Sequence, residues 1–353
     1  MPPHDFAPGE AHTPAGLGYR WPAEWEPHLA TWLAWPHNVE TWPGAFEPIP
    51  AAFQRLVQTL AQYETVRVLA GGDAVMAEAR RMVGEIPNVE LWDIATDDAW
   101  VRDYGPTFLS SPRGAESALV DWRYNAWGGK YPPFDRDNAV PRHIAERLRR
   151  RRFAPHLVLE GGAIDGDGQG TVLTTTSCLL NPNRNPGKSR TVVDRFLADY
   201  LGANHVLWLE GAELMGDDTD GHVDQLARFV APGKVVAAVE HDPADDNYRA
   251  LQGIVAQLRK MTDSAGRKLE VIPLPMPRPV FFDNRRLPAS YCNFYIANGA
   301  VIVPQFDDEA DSTAVGILGE LFHDRNICPL PARDLAWGLG TFHCLTQQEP
   351  TAL

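Results

Sequence analysis

The sequence predicts an α/β fold in which a hairpin, a helix and a strand recur about five times, arranged as a closed radial array with its loops converging near one axis. Three observations carry this expectation. Runs rich in β-formers alternate with runs whose apolar residues fall at helical spacing along almost the whole chain. Leu159-Glu-Gly-Gly162 is echoed by Leu209-Glu-Gly-Ala212. Asn298-Gly299 and Pro232-Gly233 each divide two β-rich runs, and Asn-Gly is a strong hairpin signal.

The elements follow in order. His28 to Trp35 is an apolar strand, Ala51 to Gln62 a helix by the spacing of its apolar residues, and Val66 to Ala70 a strand. Ala74 to Val83 (helix) and Val89 to Ile94 (strand) lead into Asp97–Pro106, where Gly105-Pro106 enforces a turn. Thr107–Leu109 and Ala118–Asp121 read as strands, Val140–Arg151 as a helix and His156–Leu159 as a strand ending in Glu160-Gly-Gly162. The pattern continues with strand Thr171–Leu180, helix Arg190–Leu201 and strand His205–Leu209. Gln225–Val230 and Lys234–Glu240 form a hairpin, followed by helix Asp245–Met261 and strand Leu269–Ile272. Ser290–Ala297 and Ala300–Gln305 form another, with helix Thr313–Phe322 and strand Thr341–Leu345 behind them.

Composition narrows the function. Hydrophobic residues make up 44% and charged residues 22% of 353, a globular balance. No apolar run approaches the roughly 20 residues that span a bilayer. With 32 Lys and Arg against 46 Asp and Glu the formal charge is -14, which argues against nucleic acid as partner; such a field can favour a small cationic substrate, though many acidic proteins simply stay soluble this way. The basic run Arg147–Arg152 is expected to end a helix, where cations suit the dipole. Residues 1–17, rich in Pro, Gly and Ala and without a signal pattern, read as a flexible tail on a cytoplasmic protein, with one catalytic domain over 18–349. Exposed tryptophans, among 11, leave a homodimer open. Cys178, Cys292, Cys328 and Cys344 lie far apart with no CxxC pair, so neither a structural zinc site nor a disulfide framework is expected.

The chemistry concentrates in Gly216–Phe229, where His222 and Asp224 are two apart and would share one face of an extended segment. A metal loop, an acid/base pair and a solvated acidic turn all fit. A calcium loop is disfavoured: counted from Asp217 the sixth position is His222 and the twelfth Arg228, where Gly and Glu are needed. In Trp100–Pro106, Asp103 offers two oxygens to a guanidinium, against the blander reading of an Arg102–Asp103 surface pair. Glu160 stands at a strand end, though Glu210 shows how little that tripeptide says alone. Near the C-terminus Gly338 and Gly340 let backbone approach a ligand closely, and Cys344 follows. A lone cysteine is more often a small buried hydrophobe, but a His–carboxylate pair elsewhere is what a thiol nucleophile uses. Cys178, Cys292 and Cys328 read as bystanders.

Taken together, Trp21–His28, Asp98–Thr107, Leu159–Gly162, Asn181–Pro186, Gly216–Asp224, Leu287–Tyr291, Asn293–Gly299 and His343–Gln348 resemble the agmatine deiminase and bacterial peptidylarginine deiminase-like family of the guanidine-modifying (pentein) superfamily. The resemblance implies a five-bladed α/β propeller and no metal or organic cofactor. It assigns Cys344 as nucleophile, His222 as general acid/base and Glu160 as its support. Asp103 and Asp224 would grip the guanidinium, with Trp100 and Gly340 against the substrate stem. The implied activity is agmatine deimination for putrescine biosynthesis, the alternative being peptidylarginine or another alkylguanidine. Two departures bear on the substrate tail: Tyr104 where these enzymes carry Thr, and Gly338-Leu-Gly-Thr-Phe342 where they read Gly-Gly-Gly-Asn-Ile. A metal hydrolase built on His222, Asp224 and the Asp217 cluster, and a non-catalytic guanidine binder, are the competing classes.

Overall fold

The computed structural model describes residues 12–111 and 117–351. Strands β1 (His28–Ala34), β2 (Thr65–Leu69) and β3 (Val89–Trp92) run parallel, β2 between the other two. The crossover from β1 to β2 is the helix Ile49–Leu60, which buries Ile49, Phe53, Leu56, Val57 and Leu60. That spacing puts one stripe against the sheet, and each such side chain contributes roughly 1.5–3 kcal/mol on burial.

Four further sheets repeat one construction: an antiparallel pair, then a helix, then a strand parallel to the second. They are β4 (Thr107–Leu109), β5 (Ala118–Val120) and β6 (Arg151–Phe153); then β7 (Ile164–Gly166), β8 (Thr171–Thr175) and β9 (His205–Leu209). Next come β10 (Ala227–Ala231), β11 (Lys234–Val239) and β12 (Glu270–Pro275). A small hairpin, β13 (Phe281–Phe282) with β14 (Arg285–Arg286), precedes β15 (Tyr295–Ala297), β16 (Ala300–Gln305) and β17 (Asn326–Pro331). The first sheet obeys the same rule through β18 (Gln347–Pro350), which lies antiparallel to β1. The hairpin–helix–strand repeat expected from the sequence is therefore present. The mixed α/β class is correct, and helix Arg190–Leu201 and strand His205–Leu209 match their expected limits.

Several expectations are corrected. His156–Leu159 is not a strand; Val158 makes only a bridge to Arg123. The parallel strand is β6, because Arg149 adopts a left-handed conformation (φ 55) that stops the helix at Leu148. The arginine run is thus split, Arg147 in the last helical turn and Arg151 and Arg152 on β6. Thr341–Leu345 is a tight turn, with Leu345 N–H donating to Thr341 O at 3.2 Å. The strand there is β18, whose Gln-Gln-Glu-Pro sequence carries no apolar pattern. Tyr291–Asn293 is a 3₁₀ turn and Thr176–Leu179 a short helix, not strand. Residues 1–11 of the expected tail lie outside the described residues, but Thr13 is buried and Ala15–Leu17 forms a 3₁₀ turn, so the packed body begins before residue 18. Among the described residues no helix is long and apolar enough to cross a membrane.

Candidate active site

Each of the five sheets is entered through a short helical turn just ahead of its first strand, and each turn delivers a polar side chain to one place. Asp103 precedes β4, Glu160 and Gly162 precede β7, and His222 and Asp224 precede β10. Asn293 precedes β15, and Cys344 precedes β18. The turns touch one another in sequence. Gly162 N–H donates to Asp103 Oδ1 at 2.9 Å, His222 Nε2 lies 3.4 Å from Glu160 Oε2, and Ser290 Oγ donates to Gln225 O at 2.7 Å. His343 N–H donates to Asn293 O at 3.1 Å and Arg102 N–H to Cys344 O at 3.2 Å, which returns to the first turn. His222 and Asp224 both reach Gly162, His222 from the cap of the 3₁₀ turn Val223–Gln225 and Asp224 from within that turn, not from the extended segment expected.

Gly162 marks the meeting point. A Cβ built there would sit 2.7 Å from His222 Nδ1, 2.8 Å from Asp103 Oδ1 and 3.0 Å from Asp224 Oδ2, so only glycine fits among the three. Gly340 plays the same part on the thiol side, where a Cβ would lie 2.7 Å from the Trp100 ring and 3.0 Å from Cys344 Sγ. His222 Nδ1 and Asp224 Oδ1 are buried without a protein hydrogen bond, and Cys344 Sγ lies 3.5 Å from Asp224 Oδ2. Asp103, Trp100, Gly340 and Cys344 line a cleft of about 300 Å³ whose outer part carries Asp218 and Arg285.

Supporting contacts fix each group. Trp127, held at a positive φ of 54°, donates its indole N–H to Asp103 Oδ2 at 2.9 Å. Asn293 Nδ2 donates to Cys344 Sγ at 3.1 Å. His343 bridges Asp224 Oδ2 (2.7 Å) to Glu24 Oε2 (2.9 Å), and Glu24 also meets Arg228 at 2.9 Å. Arg184 Nε donates to Glu160 Oε1 at 2.9 Å, both side chains fully buried.

The electrostatics follow from burial and these neighbours. Burial, then the charges of Asp224 and Glu160, push the Asp103 carboxyl up to about 6, although His222 opposes them. Burial also acts upward on Asp224 and Glu160, but His343 holds Asp224 below the usual carboxylate range, and His222 with Arg184 does the same for Glu160. Burial favours neutral His222, yet Asp103, Cys178 and Glu160 outweigh it and raise its pKa well above that of free histidine. The Cys344 thiol is pushed well up by burial and by Asp224 and Asp103. Both shifts favour the protonated forms of His222 and Cys344.

All seven residues named from the sequence thus converge. The Arg102–Asp103 surface pair does not exist: both residues are buried, and Arg102 pairs with Glu24 at 3.4 Å. Tyr104 is buried and does not line the cleft, its hydroxyl donating to Asp98 O at 2.7 Å, whereas Gly338, Leu339 and Gly340 do line it. The Asp217 cluster closes its own turn: Asp217 accepts from Thr219 and Gly221 N–H, and Asp220 from Lys130, Asn183 and Arg184. Cys178 is not an isolated bystander, since its Sγ lies 3.6 Å from Glu160 Oε2. Trp127, Asn293, Arg184 and Glu24 were not anticipated. The last three lie in stretches that carried the family resemblance, but Trp127 has no local signal.

Comparison with known proteins agrees with this arrangement. The family model described as Porphyromonas-type peptidyl-arginine deiminase matches residues 20–350. The chain belongs to that family. It is 41% identical over 362 residues to the agmatine deiminase of Pseudomonas aeruginosa (strain LESB58), covering 96% of this chain and 97% of that relative. The solved agmatine deiminase of Enterococcus faecalis superposes with a TM-score of 0.91 at 35% identity, covering 99% of this chain and all of the other. A cysteine-to-serine variant of the C. jejuni agmatine deiminase, solved with substrate bound, gives 0.87 at 30% identity, covering 95% of this chain and 97% of the other.

Proposed function

We propose that this chain is an agmatine deiminase, hydrolysing the agmatine guanidinium to N-carbamoylputrescine and ammonia through a covalent adduct on Cys344. The observation that carries the reading is the convergence of Cys344, His222, Asp103 and Asp224 around one small space beside Gly162. A guanidinium is a poor electrophile because its charge is delocalised; two carboxylates on opposite nitrogens fix its plane and hold the carbon for attack. Its charge also lowers the cost of ionising Cys344, whose thiol proton leaves to solvent. The thiolate attacks the guanidinium carbon. His222 then gives the proton on Nδ1 to the departing nitrogen, ammonia leaves, and a thiouronium remains. Neutral His222, held through Nε2 by Glu160, takes a proton from water and hydroxide adds to the same carbon; the C–S bond breaks with its electron pair returning to sulfur, the added hydroxyl loses its proton to solvent, and the ureido product is released. Carboxylates on the outer cleft, Asp218 among them, suit a cationic tail.

The same reading places the five sheets as five blades about the axis on which these turns meet. It is supported by the common hairpin–helix–strand build and by hydrogen-bonded turns that run from the first sheet round to the last.

The test is release of ammonia and a ureido product from agmatine, arginine and a short arginine peptide, with EDTA present. Turnover of agmatine that survives EDTA and vanishes in Cys344→Ser is expected. Turnover confined to the peptide, or loss of activity to the chelator, overturns the reading.

A further inference from the structure

We infer that Glu160, Cys178 and His222 form an inhibitory site for a zinc-class divalent ion, on the face of the imidazole turned away from the cleft. The three side chains come from different elements: the turn before β7, the short helix Thr176–Leu179 and the turn before β10. All three are buried, and one ligand atom from each lies within 4.8 Å of the other two. Glu160 Oε2 is 3.4 Å from His222 Nε2 and 3.6 Å from Cys178 Sγ. Tetrahedral zinc, with bonds of about 2.0–2.3 Å to nitrogen, oxygen and sulfur, spaces its ligands about 3.3 Å (N to O) and 3.5 Å (S to O) apart. The two separations from Glu160 are already those of a coordination shell, and Cys178 and His222 lie within 4.8 Å of each other.

Donor chemistry and surroundings point the same way. Thiolate, imidazole and carboxylate together suit zinc, and leave a fourth position for water. Metal-bound carboxylates are commonly held by a further partner, and Arg184 holds the other oxygen of Glu160 at 2.9 Å. Arg184 is in turn tied to Thr219 O at 3.0 Å and to Asp220. The cation's two charges are met by the Cys178 thiolate and Glu160, while Arg184 and Lys130 share Asp220.

Without an ion the same groups form a hydrogen-bonded cluster. Binding replaces its protons: the Cys178 thiol proton and any proton on Nε2 leave to solvent, and three coordinate bonds form with no change of oxidation state. His222 is then locked as a metal-bound imidazole, and Glu160 no longer supports its proton cycle. Loss of turnover on metal binding rests on the role of His222 proposed above; the binding itself does not.

Cobalt(II), a spectroscopic stand-in for zinc, separates these claims when added to the metal-free full-length protein. Thiolate-to-cobalt charge transfer and tetrahedral d–d absorption are expected in wild type and in Cys344→Ser, and absent in Cys178→Ser. Absorption that persists in Cys178→Ser but vanishes in Cys344→Ser puts the ion on the nucleophile and overturns the inference, as does its absence from wild type. If the Cys178 variant fails to fold, anomalous scattering from a zinc-soaked Cys344→Ser crystal decides. An ion about 2.3 Å from Cys178 Sγ sustains the site, and an ion placed only elsewhere removes it. In the activity arm, Cys178→Ala turns over agmatine and resists zinc at least about tenfold better than wild type, since loss of even an outer-shell partner costs a metal site about 10–100-fold. Equal sensitivity of the two proteins counts against the site.

Discussion

Leu159-Glu-Gly-Gly162 and Leu209-Glu-Gly-Ala212 are nearly the same sequence with opposite fates. Glu160 is fully buried against an equally buried Arg184, while Glu210 pairs with Arg190 at the surface, with side chains 65% and 44% exposed. The difference is position within the repeating unit. Glu160 falls in the turn that enters β7, the first strand of its sheet. Glu210 immediately follows β9, the last strand of the same sheet, and the longer connection to β10 runs on before His222 reaches the shared site. One motif is read twice by the fold, once at the entrance of a sheet and once at its exit. Only the entrance meets the chemistry.

Substitutions at matched positions should pull the two further apart. Glu160→Ala leaves the buried Arg184 with Asp220 as its remaining carboxylate partner and should cost about 1–3 kcal/mol in urea unfolding. Glu160→Gln keeps the shape and should lower kcat about 10²–10⁴-fold by loosening the proton chemistry of His222, with the fold retained. Equal activity in wild type and Glu160→Gln would contradict its assigned role. Gly162→Ala forces a methyl among His222, Asp103 and Asp224, so agmatine turnover should nearly vanish while the far-ultraviolet spectrum stays native. Its counterpart Ala212→Gly adds backbone freedom and removes one buried methyl, a cost of about 1–2 kcal/mol. Smallest of all is Glu210→Gln, expected to change stability by less than about 1 kcal/mol and kcat not at all.

Acid should separate the groups as well. In the proposed mechanism ionised Asp103 grips the guanidinium; its pKa is pushed up to about 6, so kcat/KM for agmatine should fall as pH drops through about 6. A flat profile from pH 7 to 5 would remove Asp103 as a clamp. The stability terms have opposite signs. Asp103 holds its proton more tightly folded than unfolded, so its contribution to stability grows as pH falls through about 6. Glu160 has a lowered folded pKa: its stabilising contribution is present above its unfolded value and lost as pH falls through the depressed one.

Much of this was legible in the sequence because amphipathic helices and hairpin turns are local signals. Helix Arg190–Leu201 and the hairpins at Pro232-Gly233 and Asn298-Gly299 needed nothing from elsewhere. Strand β18 was missed because its register is set by β1 and by the bond from Trp32 Nε1 to Glu349 Oε2 at 2.9 Å, not by any apolar alternation. Strand β7 is three residues long and ends in Gly166, too short for a pattern. In the site, the charged and nucleophilic residues declared themselves by type. Trp127 did not, since its contact with Asp103 depends on a strained backbone at φ 54. Cys178 was misjudged because its neighbours in space, Glu160 and His222, are distant in sequence.

The antiparallel pairing of β1 with β18 also sets a timetable for synthesis. His28 lies opposite Pro350, so one edge of β1 waits for a partner made 322 residues later. At about 5–20 residues per second on the ribosome, that edge is open for roughly 15–65 s. Cys344 is translated just before the closing strand, after every other group it works with. A nascent chain paused before β18 would expose a templating strand edge and have no activity, which makes this interval the time at which a chaperone has most to protect.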